Sequence, residues 1–244
     1  MAPYAFHPGL RRVSITGADD KVPVAALRAL GGQYPFVEWA LLYVPTPGGP
    51  RNPTQRWREE FFATGQRAGV TSAVHLCFRE SFEQLREGRL SREIFQTDRI
   101  QLNINARRVE FSDDEVLGVY RRALDLGPDI ILQHQELTAP VIERFLRELG
   151  PTDAPRVHVL LDESRGKGLA PASWSIPTQY AGLPVYVGFA GGIGPANTQD
   201  VLNQVRALMR PYWIDMETSV RTDNAFDVAK VEAVLRAAEP FVAR

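Results

Sequence analysis

A chain of 244 residues with 44% apolar and 23% charged residues has ordinary globular usage, which excludes a disordered polymer and leaves ample length for a full core. A formal net charge of −1 without a basic block excludes a broad electrostatic surface for nucleic acid. No apolar segment reaches the length of a membrane span, and the start MAPYAFHPGLRRVSI lacks the unbroken apolar stretch of a signal peptide, so a cytoplasmic protein with no membrane partner is expected.

Apolar runs of strand length alternate with segments of helical period along the chain. The strand candidates are 12–17 (RVSITG), 37–44 (VEWALLYV), 70–77 (VTSAVHLC), 99–105 (RIQLNIN), 129–135 (DIILQHQ), 156–163 (RVHVLLDE), 184–190 (PVYVGFA) and 212–218 (YWIDMET). Most are too apolar for a half-exposed sheet and suit strands covered on both faces. Between them, Ser112 and Glu115 form an S-x-x-E capping box ahead of a stripe of Val116, Leu117, Val119, Tyr120, Ala123 and Leu124. Pro195 is assigned to the first turn of a helix carrying Val201, Leu202, Val205 and Leu208. Val228, Val231, Val234 and Leu235 mark the last helix, and connections are short except at 45–54 and 164–180. Eight such pairs predict a (β/α)8 TIM barrel, a single domain over 1–244, with a doubly wound open sheet as the alternative.

In such a barrel the chemistry sits on the loops that follow the strands. The predicted strand ends supply Thr16 and Gly17, then Arg51 in the second loop, His75, Gln101 and Asn103, then Gln133, His134 and Glu136. They close with Asp162 and Glu163, the turn AGGIG at 190–194, and the run DMETSVR from Asp215. Carboxylates, an arginine, imidazoles and a glycine turn on one rim suit a small phosphorylated, sugar-like substrate. Glycines followed by a helix N-terminus can cradle a phosphate, and they equally make a tight strand-to-helix turn. Cys77 is the lone cysteine and reads as a buried small hydrophobe, while four histidines without paired spacing predict no protein-held metal. His158 falls four residues deeper than Asp162 and reads as core.

Several of these segments together resemble the phosphoribosylanthranilate isomerase family of tryptophan-pathway barrels. Its K-I-C-G is echoed by Ser14 to Gly17, its S-P-R by Gly49-Pro50-Arg51, and its Q-L-H by Gln101-Leu102-Asn103. Its L-L-D, G-x-G and tryptophan correspond to Leu160-Leu161-Asp162, Gly166-Lys167-Gly168 and Trp174. Its A-G-G-L-x-P-x-N-V is nearly reproduced from Ala190 to Thr198, and its closing D-V-S-S-G-V-E-x-x-G-x-K-D aligns without a gap on Asp215 to Asp227.

The resemblance implies an Amadori-type isomerase of an aminoribose 5-phosphate that needs no cofactor, working as a monomer or homodimer. Asp162 would be the general acid, Arg51 and Asn103 would hold the substrate, and Gly191, Gly192, Thr218 and Ser219 would bind phosphate. The family's base cysteine is replaced by Thr16, whose hydroxyl titrates far too high to act alone as the base. His75 and His134 are candidate replacement bases, with Glu136 and Glu217 on an equal footing as candidate functional residues, and Thr16 would then orient the base or a water. Glu217 also puts a carboxylate beside the phosphate position unless it turns away or Arg221 neutralises it. Two alternatives stand: a related reaction on another phosphosugar or carboxylate, with Lys167 the only rim lysine for a Schiff base, or a ligand-binding protein without catalysis.

Overall fold

The computed structural model describes residues 8–44, 49–63, 70–104, 111–162, 170–171, 173–181, 183 and 185–243. Eight parallel strands close on themselves: β1 (Gly9–Thr16), β2 (Val37–Tyr43), β3 (Thr71–Leu76), β4 (Arg99–Leu102), β5 (Asp129–His134), β6 (Val157–Asp162), β7 (Tyr186–Ala190) and β8 (Pro211–Met216). Closure is made where β1 pairs with both β2 and β8. The helices that follow them are α1 (Val24–Gln33), α2 (Gln55–Phe62), α3 (Arg79–Glu87), α4 (Asp113–Leu124), α5 (Ala139–Glu148), α6 (Thr178–Ala181), α7 (Thr198–Arg206) and α8 (Val228–Ala238). A short hairpin, β9 (Arg221–Thr222) and β10 (Ala225–Phe226), lies between β8 and α8. The chain is therefore a (β/α)8 TIM barrel and not an open sheet. Among the described residues no helix is long and apolar enough to cross a membrane.

Each predicted strand is present with ends shifted by a few residues, and the Ser112–Glu115 capping box is made in both directions. Pro195 departs from expectation: α7 opens at Thr198, so the proline lies in the preceding turn. Asn197 sets that boundary, because its side chain bridges the Gly192 carbonyl and the Gly194 N–H while its own backbone is non-helical.

Two apolar regions result from strand alternation. The larger lies between the sheet and the helices, and a small plug of Ile131, Leu160, Ala190 and Trp213 fills the middle of the barrel. Beneath the plug, Arg99 makes two hydrogen bonds to Glu38, at 2.7 and 2.5 Å, and both side chains are fully buried. The same guanidinium lies 4.1 Å from the Trp213 ring centre and 3.2 Å from Nδ1 of His158. His158 is thus part of the interior, as its depth in the strand suggested. Burial alone would raise the Glu38 carboxyl, but the Arg99 charge and hydrogen bonds hold it down at about 2.

The plug leaves no room on β7: a Cβ on Gly188 would lie 2.1 Å from Cε2 of Trp213. Gly188→Ala is expected to destabilise the barrel by about 3 kcal/mol through overpacking, read from urea denaturation. Combining it with Trp213→Leu should recover part of that loss.

Candidate active site

The strands' C-terminal ends surround a cavity of about 350 Å³. Its walls take every second residue of successive strands: Leu42 and Val44, His75 and Cys77, Gln101 and Asn103, Gln133 and Gln135, Leu160 and Asp162, Asp215 and Glu217. A smaller cavity of about 220 Å³ adjoins it between the β7 and β8 ends, sharing Asp162, Asp215 and Glu217 and adding Gly191, Gly192, Thr218 and Ser219.

Asp162 and Asp215 stand at one level, each paired in register with Ala190 of the strand between them. Asp162 is 7% exposed and accepts a hydrogen bond from Gln133 Nε2 at 3.1 Å. Asp215 is 8% exposed, and the Thr16 hydroxyl donates to its Oδ1 at 2.7 Å. Burial raises the Asp215 carboxyl to about 7; the Thr16 hydrogen bond pulls it down, while Glu217, Asp162 and Glu38 push it further up. Such a group exchanges a proton near neutrality, the property required of an acid–base catalyst. At the position where the resemblance expects a base, Thr16 is hydrogen-bonded to a buried carboxylate. In the sequence Asp215 stands within the closing motif without an assigned role, although, like Asp162, it is an acid ending an apolar strand.

The two candidate imidazoles lie in different surroundings. His75 lines the cavity but is buried, which lowers its pKa to about 3; the Glu38 charge opposes this and the Arg99 charge adds to it. A ring this weakly basic stays neutral at physiological pH and is a poor base. His134 points the other way, into the helical layer, where Nδ1 shares a 2.8 Å hydrogen bond with the Tyr180 hydroxyl and the rings meet edge to face. Burial lowers its pKa as well. Asn103 lines the cavity with its amide committed: Oδ1 accepts from Gln101 Nε2 at 2.7 Å and Nδ2 donates to Cys77 Sγ at 3.3 Å. Cys77 is half-buried on this wall and not a core residue.

Arg51 is held by residues of the loop after β8. Its Nη1 donates to Glu217 at 2.5 Å, and Nε and Nη2 both donate to the Asn224 side chain at 3.1 and 3.0 Å. Its backbone sits at φ 75°, with the N–H donated to Asp19 at 2.9 Å. Arg51, and not Arg221, thus neutralises Glu217. Arg221 instead donates to the Gly17 carbonyl at 2.6 Å and to Asp19 at 3.0 Å, both buried.

At the glycine turn, Gly191 and Gly192 have φ of 109° and 62°, values that disfavour any side chain. Ser219 donates its hydroxyl to the Ile193 carbonyl, and Thr218 Oγ1 lies 3.5 Å from Arg51 Nη1. The Ser219 hydroxyl is therefore spent on tying the β8 loop to the β7 turn. Glu163, Gly166, Lys167 and Gly168 lie outside the described residues. Trp174 packs edge-on against Phe189. Among the described residues no group of three or more His, Cys, Asp or Glu side chains could hold a metal ion.

No protein-family model and no curated protein matches the chain. Solved structures do. N-(5'-phosphoribosyl)anthranilate isomerase from Pyrococcus furiosus matches 94% of this chain and 98% of its own, at 14% identity and a TM-score of 0.54. Phospho-2-dehydro-3-deoxyheptonate aldolase from Thermotoga maritima matches 94% of this chain and 68% of its own, at 10% identity and a TM-score of 0.55. A xylose isomerase domain protein from Planctomyces limnophilus matches 96% of each chain at 13% identity and a TM-score of 0.52. At such identities the shared property is the barrel itself.

The Asp215 environment predicts a stability signature. A carboxyl raised from 3.8 to about 7 binds its proton more tightly folded than unfolded, so its deprotonation makes stability fall as pH rises between those values. The full effect is on the order of 4 kcal/mol at most. Asp215→Asn should match the wild type in thermal melts below about pH 3.8 and become increasingly the more stable protein as pH rises to about 7 and above.

Proposed function

We propose that this protein is an acid–base isomerase of the Amadori type, acting on an aminoaldose 5-phosphate with Asp162 as acid and Asp215 as base. The observation that carries the reading is the pair of inward carboxylates flanking Ala190, one of them raised to about 7 and held by Thr16. Asp162 donates a proton to the ring oxygen, the C1–O bond breaks, and the nitrogen lone pair forms an iminium. The iminium acidifies the C2 proton, which Asp215 removes to give the enolamine; tautomerisation completes the ketoamine. The hydrogen bond from Thr16 keeps the Asp215 carboxylate in place and lowers its pKa. The likeness to an isomerase barrel and the ordered sequence echoes support the same reaction class.

Phosphate is assigned to the backbone at Gly191 and Gly192, with Glu217 neutralised by Arg51. A second reading, an unphosphorylated sugar in the same reaction, is favoured by Glu217 on that wall and by the committed Ser219 hydroxyl.

Turnover of aminoribose 5-phosphate generated in situ tests the proposal, with the unphosphorylated aminoribose as its comparison. Asp162→Asn and Asp215→Asn should each lower kcat by about 100-fold or more. The kcat/KM profile should rise through about pH 7, the Asp215 value. Thr16→Val removes a hydrogen bond that lowers this pKa, so the rise should move to higher pH. Full activity in both Asn variants would overturn the assignment.

A further inference from the structure

One residue of the larger cavity is explained neither by folding nor by the proposed proton transfers. Phe78 follows β3 at the start of α3, lines that cavity and is 51% exposed. It belongs to neither apolar core. Its backbone has φ 73° and ψ 150°, a region that residues other than glycine seldom occupy, and its side chain caps no N–H of α3. Glycine would suit the fold better there, yet the chain carries a phenyl ring. Ser81 holds it in place: the buried hydroxyl donates to the Cys77 carbonyl at 2.6 Å, and the N–H donates to the Phe78 carbonyl at 3.2 Å.

Leu42 pairs in register with His75, and Leu42 and Val44 line the same cavity with their side chains only half-buried. In the proposed function the phosphate takes the smaller cavity, and Asp162 and Asp215 stand where the two cavities meet. The nitrogen end of the sugar is then directed into the larger cavity, whose β2 and β3 side is this apolar surface. The arginine of that cavity, Arg51, is already paired with Glu217 and Asn224.

We propose that Phe78, with Leu42 and Val44, covers an uncharged apolar group carried on the substrate's nitrogen. Such a group takes the exposed ring and aliphatic surface out of water. A bare amine would leave that surface wet, and a carboxylate on the group would reach Arg51 only by displacing Glu217. The proposal rests on the reading of the cavity as an aminosugar site and uses binding, not turnover, as its measure.

Calorimetry on the full chain with 1-amino-1-deoxyribitol 5-phosphate and its N-phenyl and N-(2-carboxyphenyl) derivatives tests it. The phenyl probe should bind at least about tenfold more tightly than the bare amine, and more tightly than the carboxyphenyl probe. Equal binding of the phenyl probe and the amine overturns the subsite and leaves the proposed function standing. Tightest binding of the carboxyphenyl probe overturns the choice of an uncharged group. In Phe78→Gly and Phe78→Ala the preference for phenyl should fall towards one, with the melting temperature of the glycine variant kept or raised as the backbone is relieved. A preference preserved in both variants overturns the proposal. The same three compounds without phosphate repeat the comparison. A phenyl preference seen only in that series counts against the phosphate in the proposed function and leaves the subsite standing. Binding of no probe overturns both.

Discussion

The buried pair of Glu38 and Arg99 is the constraint on which the barrel interior is built. Neither charge is tolerable there alone: removing one partner of such a pair costs about 3–5 kcal/mol, because the other stays desolvated. The pair fixes what can lie above it. The Arg99 guanidinium sits against the face of Trp213, the indole fills the space that a side chain on β7 would need, and Gly188 is the result. Its field also extends to the groups lining the cavity: Glu38 raises the carboxyl of Asp215, and on His75, whose basicity burial lowers, Glu38 opposes that loss while Arg99 adds to it.

Above that layer the cavity has two chemically different sides. The β6 and β8 side presents Asp162, Asp215 and Glu217, with Thr16 of β1 on Asp215; the β3 to β5 side presents His75 and the amides of Gln101, Asn103, Gln133 and Gln135. The division follows from parity alone, since each strand contributes alternate residues to the interior. One side can move protons and the other can read neutral polar groups. A sugar-like molecule undergoing acid–base chemistry requires both.

The barrel was legible because its signals are local: eight apolar runs separated by segments of helical period, with the capping box at Ser112 and Glu115. Asp162 was legible for a related reason, as an acid at the end of an apolar strand. Asp215 carries the same signal on PYWIDM, but a threonine at the base position points to groups that titrate near neutrality, the histidines, before a strand-8 carboxylate. His134 could not be placed by pattern: Gln133 and His134 are adjacent and both polar, so alternation does not tell which one faces inward. The structure puts Gln133 on Asp162 and His134 on Tyr180. The partners of Arg51 were beyond reach for another reason. Glu217 and Asn224 stand 166 and 173 residues away, and no periodicity records which loop residues meet when a barrel closes.

Arg51 has a bearing on what the mouth admits. Its guanidinium is occupied in the resting protein, so an anionic visitor reaches it only by exchange, supplying oxygens at least as good as those it evicts. Glu217, once released, would become an extra negative charge at the entrance and penalise the exchange. A weak acceptor leaves this pairing intact, so contact with Arg51 is a matter of displacement and not of attraction alone.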